Sequence, residues 1–292
     1  MDNMAKSPAH KFGQIIGDVL ETAFKPLLER FAEEHDLYLD KKGPRPARSG
    51  KKVRWTDVYG NTHDLDYVLE RNGSDTKIGK PVALIETAWR RYTKHSRNKA
   101  QEIQGALMPL LETHKNDAPF IGAILAGVFT DGALAQLDSL GFALVYFPYE
   151  SVIEAFKPVG IDAAFGEETA DAEFSRKIRA WKALREAQRL RVAKALVEIN
   201  GDQVQGFVGK LKRAVTRRIK TVRILPLHGS AVEWRSIEEA IAFVEKYNEQ
   251  SDPQPVLKYE VQILYNNGDR IEGQFADKMD AIQFLRAYEH HA

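Results

Sequence analysis

The chain has 292 residues, 43% of them hydrophobic, and no cysteine, which allows one large domain or two smaller ones with an ordinary core and excludes disulfides, a thiol nucleophile and thiolate zinc sites. No apolar run approaches the ~20 residues that span a bilayer, no G-x-S-x-G elbow suggests a serine hydrolase, and the eight histidines lack ligand-like spacing. Net charge is only +1, yet Phe174 to Lys220 holds fourteen Lys and Arg against three acids, so that segment carries +11 and the remainder −10, a segregation suited to binding phosphates.

The opening MDNMAKSPAHKFG lacks the apolar core of a signal peptide, so a cytoplasmic protein with no membrane partner is expected. Residues 12–35 predict an amphipathic helix, with Ile16, Val19, Leu20, Ala23, Leu27 and Phe31 at helical spacing and Glu21 among them. The stretch DKKGPRPARSGKKVRW then sets seven basic residues, Arg45 and Arg48 included, among Gly and Pro. It reads as a loop, either solvated or lying as an arm along a DNA backbone.

HDLDYVLE and PVALIETA predict two strands. Alternation of side chains puts Asp64 and Asp66 on one face, and Leu84, Glu86 and Ala88 together on the second strand. If the runs pair, Asp66 and Glu86 project into one site, where hard oxygen ligands suit Mg²⁺. Trp89 to Lys99 then carries Arg90, Arg91, Lys94, Arg97 and Lys99 with no acid, so the pair faces an anionic substrate whose phosphates match guanidinium forks. Ser96 is the expected N-cap of a helix to about His114, whose first-turn amides favour an anion. FIGAILAGVF and FALVYF read as buried strands separated by a short helix over 132–140, and a further helix starts at Ser151. This alternation favours parallel pairing.

The pattern resembles the PD-(D/E)XK, or restriction-endonuclease-like, nuclease superfamily, which has an Asp on one strand, a (D/E)-x-K tripeptide ending the next, and a helix behind the sheet. Asp66 matches the first acid and Glu86 the second, whereas Glu86-Thr87-Ala88 puts Ala at the lysine position. The resemblance implies an α/β fold with an αβββαβ core and a mixed sheet, and a nuclease core over 1–165. It implies Mg²⁺ held by Asp66 and Glu86 with Asp64 or Glu21 completing the shell, Lys99 or Lys94 replacing the lysine, and Arg90, Arg91 and Arg97 seating the backbone. The implied activity is endonucleolytic hydrolysis of double-stranded DNA. A chain of this size looks most like a type II restriction endonuclease, acting as a homodimer on a palindrome beside a cognate methyltransferase or an antiviral-defence partner. A subunit of a repair complex would leave similar marks. A non-catalytic DNA-binding protein on a decayed core is the alternative that Ala88 favours.

Gly and Pro between 158 and 170 predict a domain boundary. Residues 171–199 then read as one long helix, with Arg185 and Arg189 on its polar face, and Gln203 to Lys220 as a second, ending in KLKRAVTRRIK with Arg217 and Arg218. This basic segment, 171–220, is expected to touch a DNA backbone or to pair helices. Residues 221–292 contain a duplication: Val222-x-Ile224-Leu225 corresponds to Val261-x-Ile263-Leu264, and Ala240-Ile241-x-Phe243 to Ala281-Ile282-x-Phe284. Each copy predicts a hairpin and a helix, so two ββα units form one four-stranded sheet with both helices on one face, a module for dimerisation or DNA contact.

Overall fold

The computed structural model describes residues 7–115, 117–227, 229–250 and 256–289, and two compact units divide between Leu211 and Lys212. In the first unit β1 (Leu37–Lys41), β4 (Tyr67–Arg71), β5 (Lys80–Arg90), β6 (Phe120–Gly127) and β7 (Ala143–Pro148) form a mixed sheet in the order β1-β4-β5-β6-β7. Pairing is antiparallel from β1 to β5 and parallel from β5 to β7. A separate hairpin is made by β2 (Val53–Thr56) and β3 (Thr62–Leu65). Every residue of β6 is buried, as a strand covered on both faces requires.

One face of the sheet packs Leu84, Ala88 and Leu125 against α2 (Ser96–Thr113) and α3 (Asp131–Ser139), which present Ile103, Leu107 and Leu137. The other packs against α1 (Pro8–Glu34), whose Phe12, Ile16, Val19, Ala23 and Phe24 are buried at helical intervals. Beside α1 lie α5 (Asp171–Ala183) and α6 (Glu186–Ile199), with α4 (Tyr149–Phe156) against α6. The fold is therefore mixed α/β, and no helix among the described residues is long and apolar enough to cross a membrane.

The basic stretch departs from expectation. Leu184 and Arg185 are extended, so 171–199 forms two helices rather than one. The next helix, α7 (Gly201–Val215), stops before Lys220 because Ile219 already begins a strand. Nor do residues 171–211 stand apart from the core. Val204, Phe207 and Leu211 are buried, the Phe207 ring meets Phe120 at 5.3 Å and Phe24 at 6.2 Å, and a Cβ on Gly122 would come within 2.8 Å of it. The expected boundary near 158–170 is likewise tied down, for the Lys177 ammonium donates to the carbonyls of Asp162 and Ala164 at 2.8 and 2.5 Å.

The second unit carries the predicted duplication. Its sheet, β8 (Ile219–Leu227), β9 (Val232–Trp234), β10 (Lys258–Tyr265) and β11 (Arg270–Phe275), is antiparallel in the order β11-β10-β8-β9. Both α8 (Ile237–Lys246) and α9 (Lys278–Arg286) share one core with it, built on Val222, Ile224, Ala240, Val261, Ile263 and Ala281. At the centre Val222 pairs with Ile263 and Ile224 with Val261. Since Val222 corresponds to Val261 and Ile224 to Ile263, a local twofold axis passes through the Arg223–Gln262 pair.

Candidate functional site

Tyr67 of β4 pairs with Ile85 of β5, so extending the register by one residue sets Asp66 opposite Glu86. The chain bends at Asp66, ending β3 before β4 begins, and the Asp66 backbone N–H donates to the Glu86 carboxylate. In return Asp66 Oδ2 accepts from the Thr87 N–H and hydroxyl, both at 2.7 Å. Beyond Glu86, β5 has no β4 residue beside it, and the Asp66 carboxylate replaces the missing ladder partner. Sequence reasoning missed Thr87 because it lies on the opposite face of β5 from Glu86; its position beside the second acid was the available signal.

Glu86 is 7% exposed, and its Oε1 is buried with no hydrogen-bond partner. Burial first, and then the Asp66 charge, push its pKa up to about 8, with Lys99 opposing. Leaving such a group unpaired costs about 1–3 kcal/mol, and groups of this kind concentrate at functional sites. Lys99, half-buried in the first turns of α2, is near enough for its charge to act on Glu86, while its ammonium lies 3.3 Å from Glu102. The cap of α2 differs from expectation: His95 holds the N-cap position, while Ser96 is buried and donates its hydroxyl to the Thr93 carbonyl at 2.8 Å.

Gly13, Gly17 and Glu21 stand four residues apart on α1 and share a face. Having no side chain at 13 and 17, this face leaves a cleft of about 370 Å³, lined also by Asp66, Thr87, Arg90 and Lys99. The Tyr67 hydroxyl donates to the Glu21 carbonyl at 2.9 Å and fixes α1 against the start of β4. The Glu21 pKa is raised by burial, then by Asp66 and Asp18, with Lys42 opposing. Glu21, Asp66, Arg90 and Lys99 thus line one cleft, while Glu86, bonded to the Asp66 N–H, is not among its lining residues. The Gly13-x₃-Gly17-x₃-Glu21 spacing was the readable signal for the cleft.

Other predicted residues lie elsewhere. Asp64 is on β3, in the separate hairpin, where Lys52 at 2.5 Å and Arg54 at 3.0 Å engage its carboxylate; alternation failed because the bend at Asp66 interrupts the strand. Arg45 is no free DNA-binding arm: it is 4% exposed and binds Glu70 through two hydrogen bonds of 2.6 and 2.9 Å, with Asp40 at 3.0 Å. Arg48 pairs with the same Asp40 at 3.1 Å. Arg91 donates to the Phe165 carbonyl at 2.6 and 2.8 Å and stacks 3.9 Å from the Tyr149 centroid, so it pins the 161–165 segment rather than facing the cleft. Arg189 donates to the Lys182 carbonyl at 2.9 Å beside the Trp181 ring. Arg217 lies over Tyr265 at 4.6 Å and pairs with Asp269 at 3.7 Å. Arg97, Arg185 and Arg218 are exposed, and the Lys94 side chain lies outside the described residues.

Among the described residues no group of three His, Asp or Glu side chains could hold a metal ion. The Asp66–Glu86 pair nonetheless fits Mg²⁺, which is held by one or two carboxylates and completes its octahedron with water and substrate phosphate. The donors are oxygens alone, and Glu86 Oε1 is buried and unpartnered.

No family model matches the chain, and no curated protein matches it. Among solved structures, the crystal structure of a protein of unknown function is similar over 65% of this chain and 99% of that one, at 13% identity and a TM-score of 0.29, which is too low to establish a shared fold.

Proposed function

We propose that the chain is a Mg²⁺-dependent endonuclease acting on double-stranded DNA, built on a restriction-endonuclease-like core. The observation that carries this reading is Glu86, a buried acid with an unpaired oxygen, cross-braced to Asp66 and faced by Lys99. The order α1, β1, β4, β5, α2, β6 supports it, since it reads as αβββαβ once the β2–β3 hairpin is taken as an insertion.

Bound Mg²⁺ supplies polarisation of the phosphoryl oxygen and a water of lowered pKa. Asp66 and Glu86 would hold it, and Glu86 would have to give up its proton to do so. Thr87 keeps Asp66 turned toward the site through the two bonds to Oδ2. Lys99 replaces the ammonium that Ala88 cannot provide and offsets charge developing on the phosphate. Arg90, which lines the cleft, seats a neighbouring phosphate oxygen, its guanidinium also 3.6 Å from Glu102. The finer reading, a type II restriction enzyme acting as a homodimer beside a methyltransferase, rests on chain size and resemblance alone.

Ala88, together with the absence of a third metal-binding side chain among the described residues, favours a second reading, a DNA-binding protein without catalysis. The test is cleavage of a long mixed-sequence duplex with and without Mg²⁺, beside Glu86→Ala. Metal-dependent fragments reduced on the order of 10³-fold by the substitution support the nuclease. Salt-sensitive binding without cleavage, equal in both proteins, supports the second reading.

A further inference from the structure

Three depressions follow one another along one side of α1. The first is the cleft of about 370 Å³ at the acids. The second, about 280 Å³, shares Glu21 and Asp66 with it and adds Asp18, Thr22, Lys25 and Lys42. The third, about 730 Å³, shares Lys41 and Lys42 with the second and extends to Glu33, Tyr38 and Arg45. Their α1 residues run from His10 to Glu33 largely in steps of three and four, which is one helical face. At 1.5 Å per residue the groove is about 35 Å long, with Glu21 about 16 Å from one end and about 18 Å from the other.

We infer that a nucleic-acid duplex lies along the axis of α1 over this groove, with the scissile phosphate over Asp66 and about five base pairs on either side. The inference rests on the nuclease reading and extends it by a phosphate-binding subsite on the Lys25 and Lys42 side of the acids. Three observations carry it. A duplex rises about 3.4 Å per base pair along its axis, so about ten base pairs span the groove. Depressions lie on both sides of Glu21 and Asp66, which line both, whereas a free phosphate or mononucleotide would need only one. Cations flank the acids on both sides. Arg90 and Lys99 line one, while on the other Lys25 and Lys41 converge on Glu29 at 3.8 and 2.6 Å and neutralise it. Lys42 there is exposed and makes no ion pair among the described residues, and its charge acts on Asp18 and Glu21.

The test is fluorescence anisotropy of labelled duplexes of about 6, 8, 10 and 14 base pairs, in Mg²⁺, with the protein carrying Glu86→Gln so that bound probes stay intact. The same series is run with Lys25→Ala and Lys42→Ala added; both lysines are solvent-facing. Affinity should rise with length and level off near ten base pairs. The lysine substitutions should raise the Kd of the 10-mer about tenfold and lower the log–log salt slope by about 1.8, at about 0.9 for each phosphate no longer neutralised. A plateau at the shortest duplex, or an unchanged slope and Kd, overturns the groove. If wild-type protein then still cleaves in a Mg²⁺- and Glu86-dependent way, the nuclease reading stands without it. Wild-type protein that neither binds nor cleaves DNA overturns both.

Discussion

A carboxyl group held in the interior with one oxygen unpartnered keeps its proton, and Glu86 is such a group. Its folded pKa of about 8 stands above the ordinary value of 4.5, so between these two values the native state binds a proton that the unfolded chain has released. Stability from this residue is fully present below pH 4.5 and is lost as pH rises toward 8, by up to roughly 1.4 kcal/mol per pH unit. Glu86→Gln removes that dependence. Denaturant midpoints at pH 5, 6, 7 and 8 should therefore show the wild-type protein losing ground to the variant step by step, and parallel curves would refute the assignment. The same residue bounds what the sequence disclosed at this scale. Asp66 and Glu86 stood out because the first lies beside a short apolar run, Tyr67 to Leu69, and the second closes another, Val82 to Ile85. The contacts of Arg45, Arg48 and Arg91 did not, because a basic residue in a Gly- and Pro-rich run, or in a run of cations such as Trp89 to Lys99, looks identical whether it faces water or, like Arg45, closes on a glutamate that is 0% exposed, Glu70. That difference arises only from tertiary contact.

Among the elements, α7 shows why charge misled the placement of the basic segment. Its apolar stripe, Val204, Phe207 and Leu211, is buried while Lys210, Lys212 and Arg213 stay exposed, so an amphipathic helix contributes to the core and presents cations at once. Phe207→Ala should destabilise the first unit by about 3–5 kcal/mol, read as a shift in its urea midpoint. A loss below about 1 kcal/mol would mean the helix is merely laid on the surface. In the first unit β5, β6 and β7 were legible from composition and alternation, whereas β1 and β2 were not, and the single strand expected at HDLDYVLE is split into β3 and β4 by the bend at Asp66. The break at Leu184 and Arg185 was not legible either, since neither Pro nor Gly marks it and extended backbone there is fixed by packing on either side.

For the whole molecule, separate cores in residues up to Leu211 and from Lys212 onward predict two unfolding transitions. Mg²⁺ at a hundredfold excess over its Kd should raise only the one containing Glu86, by about 2.7 kcal/mol, and Glu86→Ala should abolish the shift. Calorimetry in Mg²⁺ and in EDTA checks this, and a shift in both transitions or neither would count against a metal at Glu86. The boundary expected near 158–170 does not divide the units, because Gly and Pro density there marks irregular backbone, not an absence of contacts, while the one expected after Lys220 lies close to the division after Leu211.

The twofold relation within the second unit has a consequence for how such a module persists. Its central seam joins two equivalent strands, so a single ββα copy is complementary to itself and would need a sister chain to complete the sheet. Placing both copies on one polypeptide turns a concentration-dependent association into an intramolecular one. The copies have since diverged where they meet, with Arg223 facing Gln262. Two first copies would set arginine against arginine on adjacent strands, an unfavourable like-charge pair, so the seam now prefers its own partner over a neighbour's.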